Sequence, residues 1–182
     1  MVGRFNSKQY DYLANPDAIQ YVCGAPILPL RFSPQDGPCP AVTDEAFHDI
    51  ISEAISMFRI LILLKGRFDI DTPADKILIY VALWIHKCLQ IAVADKNDKH
   101  TTEKYLLFCA QTDLALPKDE DFPLNQLFSA PKDAQERELC QRYFKELRVQ
   151  AVKRFMGLMF DDYGMSKWWA QYAEYQFMNR AI

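Results

Sequence analysis

The segment from residue 72 to residue 94 constrains the fold more than any other part of this 182-residue chain. It opens with Thr72-Pro73-Ala74-Asp75. Three start signals of a helix are present: a hydroxyl at the N-cap, proline at the first helical position and an acid at the third. The residues that follow are apolar on nearly every side: KILIYVALWIHKCLQIAVA. Because a helix without a polar face must be surrounded by other elements, the sequence predicts a central helix over residues 72–94.

Four further helices are predicted around the central one. The first begins near Thr43, which can cap it, and its apolar residues recur every three or four positions. The next two span roughly residues 101–112 and 132–160, and the last begins after Ser166. The predicted fold class is therefore all-α, with about five helices and one apolar helix surrounded by the others.

Residues 1–42 are predicted to form an extended, partly mobile N-terminal arm. Six of the ten prolines lie in this region, and proline interrupts helices because it lacks a backbone N–H group. Within the arm, the stretch from Ala25 to Arg31 (APILPLR) is apolar enough to lie on the surface of the core. The length of the chain favours one domain, with residues 43–182 as its helical core.

Composition argues against several classes of function. The net charge is −3, whereas dedicated nucleic-acid-binding proteins are usually basic. The longest unbroken apolar run, from Ile77 to Ile85, has nine residues, far fewer than the ~20 that span a bilayer. The five cysteines form no CxxC pair, and the N-terminus does not resemble a signal peptide. These features predict a cytosolic chain with reduced, buried thiols that neither binds nucleic acid nor inserts into a membrane.

Motifs of catalysis are absent from the sequence. There is no GxxxxGK[ST], GxGxxG or GxSxG motif. His86 and Cys88 form the closest His/Cys pair, but residues two apart on a helix point about 160° apart and do not share a metal. Asp161 and Asp162 could act as acid and base, although their spacing fits a polar turn equally well. We expect no enzymatic activity, cofactor or metal, and an enzyme that uses Asp161 and Asp162 or His86 is the weakest alternative.

The predicted fourth helix suggests a docking surface instead. Its C-terminal two thirds carry five bases and one acid. Such a bias is typical of a solvated face or of a surface that binds an acidic partner. Arg142, Lys145 and Arg148 are the candidate docking residues.

The aromatic segment after Ser166 is a second candidate interface. Trp168 and Trp169 are adjacent, so their rings project about 100° apart around a helix. Tryptophan is common both in cores and at the centres of protein–protein interfaces. We therefore expect one of these rings to pack in the core and the other to contact a partner.

Several stretches, taken in order, resemble one known family. They are ILPLRF, DEAFHDIISEAISMFR, TPADKILIYVALWIHKCL, DFPLNQLFSAP and SKWWAQYAEYQFMN. Together they resemble subunit 3 of the actin-related protein 2/3 complex, its 21 kDa subunit, over roughly Ala25 to Arg180. The resemblance implies an all-α fold with one helix surrounded by others, and this agrees with the arrangement of helices predicted above.

The resemblance also implies a function. Members of this family are non-catalytic structural subunits of a seven-subunit assembly of the actin cytoskeleton that nucleates branched actin filaments. The resemblance implies that the chain packs on actin-related protein 3 and faces the mother filament. The main alternative is a free-standing helical adaptor that uses the same basic helix to bind another acidic partner.

Overall fold

The computed structural model describes residues 6–9, 19–63, 70–96, 98–112 and 114–176. Within these residues it is mostly helical, with five α-helices, as predicted. They are α1 (Ile50–Leu63), α2 (Pro73–Asp95), α3 (Lys99–Thr112), α4 (Ala134–Met159) and α5 (Lys167–Ala170), which a 3₁₀ turn (Gln171–Glu174) continues.

The described chain also contains three ladders of two-residue strands. The all-α prediction did not include these strands. They are β1 (Tyr21–Val22) antiparallel to β2 (Ala25–Pro26), β3 (Leu30–Arg31) parallel to β4 (Ala41–Val42), and β5 (Phe160–Asp161) antiparallel to β6 (Gly164–Met165). Each ladder is too short to give an alternating pattern that can be recognised in the sequence.

The central position of α2 is confirmed. Its start is the predicted capping box, because the hydroxyl of Thr72 accepts from the N–H of Asp75 and the Asp75 carboxylate accepts from the N–H of Thr72. Its side chains are buried from Ile77 to His86 without interruption, and it packs against α1, α3, α4 and α5. By length and composition α2 could cross a membrane, but 72% of its most apolar window is buried inside the protein. A core helix has this same composition.

Helix α1 begins at Ile50, seven residues later than the predicted start near Thr43. The carboxylate of Asp44 accepts from the N–H of Ala46, which closes a local turn in place of the first helical turn. Asp49 is the residue that caps α1, since its carboxylate accepts the N–H of Ser52 at 2.9 Å.

The described part of the predicted arm packs on the core. Its apolar stretch lies there as expected, with Leu28 and Leu30 fully buried. The hydroxyl of Tyr143 on α4 accepts from the N–H of Leu28 and donates to the carbonyl of Pro26. Ser7 is buried as well, and its hydroxyl donates to Glu53 of α1. The predicted mobility of the remaining N-terminal residues concerns 1–5 and 10–18, which lie outside the described residues.

The predicted last helix is shorter than expected. It begins at Lys167, after Ser166, but the Ser166 side chain makes no capping hydrogen bond. The α-helical part is a single turn, which cannot be stable on its own and depends on the packing of its aromatic side chains. The end of the predicted helix, residues 177–182, lies outside the described residues.

Candidate partner-binding surfaces

Four polar side chains of α4 hold the segment of residues 31–36 against the helix. They lie four residues apart and therefore along one side of α4. The bonds run from Arg142 to the carbonyl of Asp36, from the Ser33 hydroxyl to Glu146, from Gln150 to the carbonyl of Phe32 and from Arg154 to the carbonyl of Arg31. Part of the predicted basic face thus binds the chain itself.

Arg148 does not belong to an exposed docking surface, and this part of the prediction is wrong. The residue is only 2% exposed. Its Nε donates to the hydroxyl of Tyr80 at 2.8 Å, and its guanidinium lies 4.4 Å from the centroid of the Trp84 ring. The guanidinium of Arg148 thus packs against aromatic rings of α2. Cation–π contacts stabilise its charge there, and its long apolar stem can be buried.

Arg142 and Lys145, the other two predicted docking residues, are exposed on α4. Together with Lys153 they line a groove of about 360 Å³ between the helix and residues 32–38. The structure therefore brings Arg142 and Lys145 to one surface and turns Arg148 away from it.

Phe32 stands at the edge of this groove and was not singled out from the sequence. Its φ is 60°, in the left-handed region that a bulky residue rarely adopts, and 64% of the residue is exposed. The guanidiniums of Arg31 and Arg154 each lie 5.6 Å from the centroid of the ring. A positive φ leaves no trace in the sequence when the residue is not glycine, so no sequence signal could have identified this position.

Trp168 and Trp169 occupy different environments. Trp169 packs against Phe155 and Phe58, with ring centroids 4.9 Å and 6.0 Å away. Trp168 is 55% exposed, and the guanidinium of Arg59 lies 4.3 Å from its ring centroid. The predicted division between a packed ring and an exposed ring is therefore present, with Trp168 as the exposed one.

The residues considered for catalysis do not form a site. Asp161 and Asp162 are exposed in the β5–β6 hairpin, where Asp161 accepts the N–H of Tyr163. His86 is buried on α2. Burial lowers its pKa, although hydrogen bonds with backbone groups of the 3₁₀ turn and of Tyr175, which follows it, oppose the shift. In the described parts of the chain, no three His, Cys, Asp or Glu side chains are grouped to hold a metal ion.

Comparison with known proteins decides the family. The model of the family P21-Arc, described as the ARP2/3 complex ARPC3 (21 kDa) subunit, matches residues 6–182. The chain belongs to this family. It is 34% identical to actin-related protein 2/3 complex subunit 3 of Arabidopsis thaliana, with 91% of this chain and 94% of the relative covered. The subunit 3 of Dictyostelium discoideum is also 34% identical, with 88% and 91% covered.

Membership in the P21-Arc family confirms the resemblance described above. It also confirms the prediction of a structural subunit rather than an enzyme. For a P21-Arc subunit, the relevant features of the structure are surfaces that other chains could cover. The exposed ring of Trp168 and the groove beside Arg142 and Lys145 are two such surfaces.

Proposed function

We propose that this chain is a non-catalytic structural subunit of the seven-subunit actin-related protein 2/3 complex, which nucleates branched actin filaments. In this role it packs on actin-related protein 3, faces the mother filament and is located in the cytoplasmic actin cytoskeleton. Family membership over almost the entire chain is the observation that carries the proposal.

The exposed aromatic surface supports a role in assembly. Trp168 lies beside Arg59, and the same outer side of α1 exposes Ile60 and Leu63. Large apolar side chains grouped at a surface are typical of protein–protein contacts, and tryptophan and arginine are the residues most enriched at their energetic centres. We assign this surface to contacts within the complex.

The groove on α4 supports contact with an acidic surface. Arg142 and Lys145 are both exposed on α4. Arg142 also donates to the carbonyl of Asp36, so Lys145 is the position where charge reversal would change association more than folding. We assign these two residues to docking and exclude Arg148, which is buried.

A reconstitution experiment tests the proposed function. The remaining six subunits are combined with this chain or left without it, and branch density on preformed actin filaments is measured by fluorescence microscopy. We expect branches to form only when the chain is present. A chain with Trp168→Ala should need a higher concentration to restore branching, whereas one with Tyr105→Ala, an exposed aromatic change on α3, serves as the matched control. Equal branching with and without the chain would contradict the proposal.

A further inference from the structure

The groove between α4 and residues 32–38 contains a regular arrangement of side chains. Lys145, Val149 and Lys153 line its helical wall, and Phe32 contributes to the opposite wall. Because the three α4 residues are four positions apart, they lie on nearly the same side of the helix. Neither lysine has a hydrogen-bonding or ionic partner among the described residues. The wall thus presents an apolar side chain between two ammonium groups that the described part of the chain does not neutralise.

The backbone at Phe32 holds an aromatic ring in solvent at an energetic cost. For a residue other than glycine, the left-handed region is strained because the Cβ atom lies too close to the following carbonyl oxygen. Burial of the ring does not offset this cost, since Phe32 is mostly exposed. The conformation is fixed by the α4 side chains that bind the carbonyls of Arg31 and Phe32. Strain that the surrounding structure maintains is characteristic of binding sites.

The charge and length of the groove define what fits it. Two carboxylates, Asp36 and Glu146, also line the groove. Asp36 is exposed on the wall opposite α4, whereas Glu146 is buried and accepts from the Ser33 hydroxyl, so the exposed charges on the α4 wall of the groove are positive. Lys145 and Lys153 are eight residues apart, which corresponds to about 12 Å along a helix. An extended peptide covers that distance in about four residues, at ~3.3 Å each.

We propose that this groove binds an extended acidic segment of a partner protein. Two carboxylates about four residues apart pair with Lys145 and Lys153, and a bulky apolar side chain between them packs on Phe32 and Val149. This inference rests on the proposed docking role of the α4 face and gives that role a defined ligand. A protein segment fits better than a uniform polyanion, because the apolar residues at the centre of the groove need an apolar partner.

Peptide binding to the full chain tests the inference. The probe is a short fluorescent peptide with two aspartates four residues apart, a leucine midway between them and otherwise neutral residues. Fluorescence polarisation should show saturable binding that weakens at least about tenfold in the double variant Lys145→Glu/Lys153→Glu. The matched control is Lys99→Glu/Lys104→Glu on α3, which makes the same change in net charge at exposed positions and should alter the affinity less than about twofold.

The variant Phe32→Gly separates an effect on binding from an effect on folding. Glycine adopts a positive φ without strain, so Phe32→Gly should keep or raise the melting temperature while it removes the ring. We expect the peptide affinity to fall at least about fivefold. A variant that melts earlier but binds the peptide as well as the parent chain would show that the ring serves the fold, and would overturn the inference.

Three further results would overturn the inference: no binding of the probe to the parent chain, equal loss in both double variants, or equal binding of a peptide whose aspartates are adjacent. Tighter binding of a single-stranded oligonucleotide or of anionic lipid vesicles through the same lysines would also overturn it. Failure of the proposed function can be distinguished from failure of this inference. If the proposed function is wrong, the parent chain does not enter the complex at all. If only this inference fails, the chain enters the complex and the probe does not bind the groove.

Discussion

The Nη1 atom of Arg154 lies 2.7 Å from both carboxylate oxygens of Asp49. Asp49 is fully buried and caps α1, while Arg154 comes from the last third of α4 and also binds the carbonyl of Arg31. This ion pair therefore joins three parts of the chain that are distant in sequence: the N-terminal segment, the start of α1 and α4.

Replacement of Arg154 by Met should destabilise the protein strongly. It leaves the buried carboxylate of Asp49 without its cation, a change that typically costs about 3–5 kcal/mol. Chemical denaturation measures the free energy of unfolding. The control is Lys153→Met, one residue away on the exposed side of α4, which should change stability by less than about 0.5 kcal/mol. Equal denaturation midpoints for the two variants would show that the ion pair does not stabilise the fold.

The same pair predicts how stability depends on pH. Burial alone would raise the pKa of Asp49, but hydrogen bonds from Arg154 and from the backbone of Ser52 and Arg31 hold the pKa below its ordinary value. A carboxyl with a lowered pKa in the folded state contributes stability above its unfolded pKa, about 4, and this contribution is lost as the pH falls through the folded pKa. Asp49→Asn keeps the helix cap but loses the charge.

We therefore expect the Asp49→Asn variant to be less stable than the parent chain at pH 7. The difference should shrink as the pH falls below about 4, because the parent chain then loses the contribution of Asp49. Free energies of unfolding measured for both proteins from neutral to acidic pH check this. A constant difference over the whole range would mean that the charge of Asp49 is not the source of the stability.

Charge reversal should separate Arg148 from Lys145. Arg148→Glu places a carboxylate among the rings of Tyr80 and Trp84, and the uncompensated buried charge should prevent stable folding. Lys145→Glu changes an exposed side chain and should leave the circular dichroism spectrum and the melting temperature nearly unchanged. A folded Arg148→Glu variant with unchanged melting would contradict the packing described for α2 and α4.

The two tryptophans should separate in the same way. Trp169→Ala removes the ring that packs on Phe155 and Phe58 and should cost about 3 kcal/mol of stability. Trp168→Ala removes an exposed ring with an Arg59 cation–π contact, which is worth about 0.5–1 kcal/mol. We expect Trp168→Ala to weaken incorporation into the complex while the chain stays folded. Thermal melts and co-purification, measured for both variants, decide this; equal destabilisation without an assembly defect would place both rings in the core.

The parts of the fold that local chemistry determines could be predicted from the sequence. The start of α2 was predicted to the residue because Thr72 and Asp75 satisfy each other's backbone groups without help from distant parts of the chain. The start of α1 was not, because Thr43 offers a plausible cap, whereas the cap actually used, Asp49, is fixed by an arginine 105 positions away.

The candidate surfaces could also be predicted only in part, because they too depend on residues that are distant in sequence. The basic composition of α4 was evident, but the sequence could not show that Arg148 points at the rings of α2 while Lys145 points to solvent. Both side chains have polar ends and long stems, so their burial depends on what packs against the helix. The position of Phe32 could not be predicted, because its unusual φ depends on a hydrogen bond from Gln150 on α4, 118 residues further along the chain.

The most direct test of the central claim is the composition of the assembly that contains this chain. An affinity-tagged chain is purified from cells under native conditions, and the mass and stoichiometry of the intact assembly are measured by native mass spectrometry. The account predicts one copy of the chain with six other polypeptides, two of them actin-related proteins. Recovery of the chain alone, or with partners that include no actin-related protein, would contradict it.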